Sequence, residues 1–439
     1  MGEPLFDLPR SGLGFDADDP LLARAAWSRI AEPGDPVAGA LVGSLGPVGA
    51  LDWLLDAARA PETAGAALRR IGAGVLDAVP GRGPAAHQGS RTDAPGRLVG
   101  PVAEGPAAGP PTSGARAAGL LLAAVRRWAP RLERLDPAGE LRVLGRYGGT
   151  FLVPDDPRWP AGFTGLGAGA PLALWIRGDP DLTRLGARSV SLVGSRACTD
   201  YGVRVTRALA CGLADRGFTV VSGGAHGIDA EAHRGALVSG APTVAFLAGG
   251  VDRLYPASNT DLLLRTMEHG AVVSEVPPGS VPGKQRFLKR NRLIASLTSG
   301  TVVVEASVRS GALSTANHAA ALLRPLGAVP GPVTSMASAG CHELLRRGAA
   351  VCVTDAAEAA ELVGDLGESA PERRRETRPG DDLDDVGKAV LDALPVRKAA
   401  HERSIARTAG HALGDTTGAL GLLELMGLAE QKDGGWRRR

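Results

Sequence analysis

The residues with the clearest chemical potential lie in GKQRFLKRNR, Gly283 to Arg292, which carries Lys284, Arg286, Lys289, Arg290 and Arg292, no acid, and one aromatic, Phe287. A run of cations with an interleaved ring suits single-stranded nucleic acid, because the charges follow the phosphates and the ring offers a face on which a base stacks. The plain alternative is a solvated basic helix face. Two glycine-rich turns add to the first reading: Gly194-Ser195-Arg196 and Gly223-Gly224-Ala225-His226-Gly227 each end a short apolar run. Backbone N–H groups at such turns, beside a helix start, favour phosphate oxygens, and Arg196 adds a charged fork for the same partner. A third turn, Arg309-Ser310-Gly311, precedes a helix expected from about Ser314, whose N-terminus suits one more phosphate, although Ser314 and Thr315 serve equally as plain caps.

Several chemistries are excluded. No GxGxxG follows the first strand, no GxxxxGK[ST] occurs, and no GxSxG places a nucleophile on an elbow. In HGIDAEAH, Asp229 and His233 stand at i, i+4 with no third ligand nearby, so a buried Asp–His hydrogen bond that fixes the loop is expected rather than a metal site. Nothing places a base beside Ser195. The four cysteines, Cys198, Cys211, Cys341 and Cys352, form no CxxC pair, which argues for a reducing compartment. A net charge of +2 creates no global field, so any polyanion site must be local. No basic, apolar leader opens the chain and no apolar run reaches the roughly 18 residues of a membrane span. The expectation is a soluble cytoplasmic protein without cofactor, metal or catalytic residue.

The elements that must position these residues follow from the apolar pattern. Ser189 to Val193 and Phe218 to Val221 are short and Val-rich, with helical spacing between them, which makes a βαβ unit. Further strands are expected at Thr243–Leu247, Ala271–Ser274, Thr301–Val304 and Ala350–Val353, and two short ones between Phe151 and Asp179. Helices alternate with them, so the fold class is α/β: a Rossmann-like, doubly wound, mostly parallel sheet, with ligands outside the carboxyl ends of its strands. Residues 1–148 read as a small helical domain. It is interrupted at about 80–114, where 15 of 35 residues are Gly or Pro and disorder is expected. The Rossmann-like domain covers 149–363 and a charged linker 364–385. Three short helices and a hairpin in 386–439 suggest a winged helix. Its third helix, TTGALGLLELM, has no Lys or Arg, so protein docking suits it better than duplex DNA.

A set of motifs then resembles one family. VGSR (193–196), YG (201–202), VVSGGAHGIDAEAH (220–233), LAGGVDRLYP (247–256), SEVPPG (274–279), FLKRNRLIA (287–295), VVEASVRSGALSTA (303–316) and VPGP (329–332) are similar to the DNA-processing protein A (DprA, or Smf) family, in the family's order. The resemblance implies a homodimer that binds single-stranded DNA and loads the recombinase RecA onto it, in natural transformation or elsewhere. It implies that Arg196 belongs to a phosphate pocket, that Lys284 and Phe287 are the lysine and aromatic ahead of the RNR motif, and that Arg290, Asn291, Arg292, Ser310 and Gly311 fill the surrounding motif positions. His226 departs from the family's frequent Arg, Leu288 from its Pro, and Cys341-His342 from a frequent Asn. The other functional class is a nucleotide-processing enzyme such as a phosphoribohydrolase, with Glu305 as its carboxylate.

Overall fold

The computed structural model describes residues 12–60, 113–364 and 383–439. The Gly/Pro-rich stretch therefore falls outside the described residues except for its last two positions, as does most of the charged linker. The chain divides into two compact units, Met1–Pro371 and Glu372–Arg439.

Unit one opens with α1 (Pro20–Ile30), α2 (Pro36–Arg59), α3 (Ser113–Leu132) and α4 (Pro137–Arg146). Asp19 and Asp35 cap α1 and α2 by accepting from the N–H groups that no helical carbonyl reaches, and a proline takes the first position of each helix. At Gly46-Pro47 α2 kinks, and Gly46 takes φ 72°. Trp27 and Trp128 meet edge to face at 5.3 Å in the centre of this helical core. The helix α2 is long and apolar enough to cross a membrane, but Leu41, Leu51 and Leu54 lie in the same core.

Nine strands follow: β1 (Thr150–Leu152), β2 (Leu174–Gly178), β3 (Ser189–Gly194), β4 (Thr219–Ser222), β5 (Thr243–Leu247), β6 (Ala271–Ser274), β7 (Gly300–Glu305), β8 (Leu326–Ala328) and β9 (Val351–Cys352). They form one sheet in the order β1-β2-β6-β5-β4-β3-β7-β8-β9. The pairings β1–β2 and β2–β6 are antiparallel and the others parallel. Helices cover both faces, which is why β5, β6 and β7 are buried at every residue and read as continuous apolar runs. On one face lie α6 (Asp200–Ala214), α7 (Ile228–Val238) and α12 (Ala356–Val363). On the other lie α9 (Lys284–Leu297), α10 (Ala312–Ala321) and α11 (Ala339–Arg346), while α5 (Leu182–Ala187) and α8 (Thr260–His269) complete the crossovers. The buried Ser191 hydroxyl is satisfied within these layers, reaching the Ile294 carbonyl at 3.1 Å and Thr298 at 2.7 Å.

From β3 the chain winds outward through β4, β5 and β6, and β7 returns to β3's other side before the chain proceeds to β8 and β9. The strand order thus reverses between β3 and β7, and the loops leaving their carboxyl ends diverge to open a crevice. The unexpected strand is β8, whose Leu-Gly-Ala lacks the β-branched signature.

In unit two, α13 (Asp385–Ala393), α14 (Glu402–Ala409) and α15 (Leu413–Leu425) precede a hairpin of β10 (Ala429–Lys432) and β11 (Gly435–Arg438). Val390, Ile405, Leu420 and Leu423 make its core, and a bridge from Ala400 to Trp436 ties the segment ahead of α14 to the hairpin. On α15, Leu413, Leu422 and Leu425 remain exposed.

Candidate nucleic-acid interface

A cleft of about 970 Å³ opens at the reversal point. Its walls are the turn after β3 (Gly194, Ser195, Arg196, Ala197), the loop after β5 (Arg253 to Tyr255), the start of α9, and the turn after β7 (Ser307, Arg309, Ser310, Gly311) running into α10. Along α9, Lys284, Phe287, Leu288 and Asn291 stand at i, i+3, i+4 and i+7, so the helix period gives all four to the cleft. Phe287 is half-buried, with the Arg196 guanidinium 4.4 Å and that of Arg290 6.0 Å from its ring centre, and Tyr255 at 6.0 Å. Arg196, Arg253, Lys284, Arg290 and Arg309 border the space, against the single acid Asp229. Among the described residues Arg196, Arg253, Lys284 and Arg309 form no salt bridge with a carboxylate, although Arg196 helps hold the Asp229 charge from a distance, so their positive charge is open to a ligand.

The glycines of the first turn set how closely its backbone packs. A side chain at Gly194 would strike Ile228 and the Glu305 carbonyl, and the turn is tied by Ser195 N–H to that carbonyl at 2.7 Å and by Ile228 N–H to the Ser195 carbonyl at 3.1 Å. Gly223, Gly224 and Gly227 do not border the cleft; they form the scaffold behind it. Gly227 takes φ 74° against the Ser195 and Arg196 carbonyls, a conformation and an approach that only glycine accommodates. Gly223 lies flat against the Arg290 guanidinium, and Gly224 offers its carbonyl to Asn259 Nδ2 at 3.1 Å. His226 is exposed and outside the cleft walls.

Arg290 forms the floor. It is 6% exposed, donates Nη1–H to the Phe246 carbonyl at 2.5 Å, and faces Asp229. Burial lowers its pKa to about 10, against the pull of Asp229, so it remains a cation at neutral pH. The Asp229 carboxyl is pushed up by burial, while Arg290 pulls the other way. Asn291 donates to the Gly311 carbonyl at 3.1 Å, and Ser310 Oγ accepts from Ala312 N–H at 3.3 Å, which fixes the third turn at the start of α10.

The basic stretch is not one continuous track. Arg292 is buried in an ion pair with Glu275, its Nη2 2.5 and 2.6 Å from the two carboxylate oxygens, and Gly34 N–H donates to the same Glu275 at 3.2 Å. Arg286 holds Glu32 at 2.9 and 3.1 Å, beside Arg131. Burial raises the Glu32 carboxyl, but the two guanidiniums outweigh it and leave it below its ordinary value. A helix turns about 100° per residue, so α9 shows one cationic face to the cleft and sends Arg286 and Arg292 to acids that meet it from elsewhere. Arg292 therefore fastens the segment between α1 and α2 to the sheet and takes no part in the cleft.

The expected Asp229–His233 hydrogen bond is absent. His233 Nδ1 pairs with Thr243 Oγ1 at 2.7 Å, because β5 brings that hydroxyl alongside α7 and the ring is fully buried there. Burial, then Arg290 and Arg234, push its pKa down to about 3, so the ring stays neutral. The described residues contain no cluster of three metal-ligating side chains. Glu305, 1% exposed, accepts from Thr199 N–H at 2.9 Å and Thr199 Oγ1 at 2.6 Å, and a side chain on Gly202 would strike it. Both of its oxygens anchor the start of α6, and it does not border the cleft. Arg253 and Tyr255, which do, were not singled out from sequence. The available signal was their place after β5, on the ligand-bearing edge of a parallel sheet.

Comparison with known proteins agrees with this architecture. The model of the family described as DNA recombination-mediator protein A matches residues 150–364. A relative from Mycobacterium tuberculosis that carries the DprA name is 49% identical over 313 residues, spanning 68% of this chain and 79% of its own. The solved structure of DNA processing protein A from Streptococcus pneumoniae is 33% identical, with a TM-score of 0.50, and the match covers 55% of this chain and 83% of that one. A Helicobacter pylori structure, 30% identical with a TM-score of 0.43 and covering 47% and 92%, is titled for that protein's single-stranded DNA binding mode.

Proposed function

Because the chain belongs to the DNA recombination-mediator protein A (DprA/Smf) family, and so has a role in DNA processing and recombination, we propose that its cleft binds single-stranded DNA and that the bound strand is handed to RecA. The observation that carries the reading is the group of four cations without carboxylate partners, Arg196, Arg253, Lys284 and Arg309, arranged around the half-buried ring of Phe287. Phosphates of a flexible strand reach those charges while an unpaired base lies on the ring; a duplex keeps its bases stacked inside. Lys284, Phe287, Asn291, Arg290 and the turns at Gly194–Arg196 and Ser310–Gly311 are the proposed contacts, with Gly223, Gly224, Gly227 and Arg292 as their support. We further read the protein as a homodimer and unit two as a winged helix. The exposed leucines and missing cations of α15 favour a protein partner there.

Anisotropy titrations against single- and double-stranded oligonucleotides test this. Single strands of mixed sequence should bind more tightly than duplex, and log affinity should fall with log salt by about 0.7 per phosphate contacted. Equal affinity for the two forms, or a flat salt response, overturns it.

The nucleotide-enzyme alternative needs Glu305 free to act on a substrate, and its carboxylate is occupied by Thr199 behind the turn. Glu305→Gln should leave strand affinity within a few-fold and RecA-driven strand exchange stimulated. Release of base or phosphate from a nucleotide that disappears in Glu305→Gln would favour the enzyme instead.

A further inference from the structure

We propose that the loop after β5 supplies a second nucleotide subsite: the Tyr255 ring stacks the base next to the one on Phe287, and the Arg253 guanidinium holds the adjoining phosphate. This rests on the cleft being a single-strand site and adds which residues define its extent.

Tyr255 is 49% exposed on the cleft wall, and its neighbour Leu254, on the same wall, is half-buried against the core cluster that holds Leu247 and Val251. A large ring held outward on a loop does little for folding. It is also held firmly. Asp252 Oδ1 accepts from Gly279 N–H at 2.9 Å on one side, and buried Asn259 ties the other side to the Gly224 and Ala225 carbonyls at 3.1 Å each. Such bracing presents the ring without the entropy cost of ordering a free loop on binding.

The geometry decides between two uses of the ring pair. Tyr255 and Phe287 lie 6.0 Å apart at 57° to each other. A base clamped between them would need parallel rings roughly 7 Å apart, twice the 3.4 Å rise along a strand. The pair therefore offers two inclined platforms for successive bases, and the backbone must turn between them. Arg253, exposed and without a carboxylate partner, stands on the same loop two residues before Tyr255 and supplies the charge that a turned phosphate needs.

The test is a titration of labelled oligothymidylates of increasing length against the full chain and its variants. Tyr255→Leu, which keeps apolar bulk but removes the ring, should weaken binding about tenfold on strands long enough to cover both platforms and leave the shortest strands unaffected. Tyr255→Phe should restore it. Arg253→Gln should lower the log–log salt slope by about 0.7, one phosphate's share, and reads the subsite without altering a ring. Phe287→Leu should weaken binding at every length. Wild-type affinity for Tyr255→Leu at all lengths, or an equal loss at all lengths, overturns the second subsite while leaving the cleft in place. If Phe287→Leu and Lys284→Ala both bind normally, the cleft reading itself fails.

Discussion

Arg292→Ala should destabilise the protein by about 3–5 kcal/mol, the cost of leaving one member of a buried ion pair without its partner. Glu275 would keep a carboxylate that is 10% exposed, with only the Gly34 N–H to replace the guanidinium. Single-strand affinity of the folded fraction should stay within a few-fold, because Arg292 does not border the cleft. Thermal melting and anisotropy on the same variant separate the two effects. The double variant Arg292→Met with Glu275→Leu should recover much of the loss, since a buried pair replaced by apolar residues of similar volume is often near neutral. Unchanged melting with lost binding would return Arg292 to the interface.

Phe287→Ala is the counterpart, with a large effect on binding and a small one on folding. Loss of a stacked base costs about 1–3 kcal/mol by alanine substitution, and the salt slope should hold because no phosphate contact is removed. The lower half of that range is expected. The Arg196 guanidinium lies over the ring at 4.4 Å, and such a contact, worth about 0.5–1 kcal/mol at an exposed site, must give way when a base stacks there. If melting falls and the affinity of the surviving folded protein is unaltered, Phe287 is a core residue instead.

Comparing these two residues shows what the sequence could reveal. Both lie in one basic decapeptide, and composition alone treats its cations alike. What separates them is long-range: Glu32 lies between α1 and α2 and Glu275 follows β6, so neither acid is visible from the stretch itself. The strands were far more legible, because a parallel sheet buried on both faces writes itself as apolar runs; β5 and β6 match their expected limits. Leu326–Ala328 was missed for lack of such a run. The i, i+4 spacing placed Asp229 and His233 on one helix correctly, yet the hydroxyl of Thr243 on a neighbouring strand won the imidazole. Arg253 and Tyr255 lie within the motif LAGGVDRLYP, but the motif assigns neither of them a role, and only the strand order brings them to Phe287.

The reversal of strand order between β3 and β7 also governs when, during synthesis, the protein becomes able to bind. The Val190–Gly300 register joins segments that leave the ribosome far apart in time, and the cleft takes walls from Val193 through to Thr315. Non-local pairing of this kind forms late, since its loop must close before any contact offsets the lost entropy. A nascent chain that has just exposed Lys284 and Phe287 thus lacks Arg309 and the Ser310–Gly311 turn, and has no cleft. The cleft proposed for strand recognition is therefore a property of the completed sheet, and a polypeptide cut short before β7 would display a basic helix with nothing to oppose it.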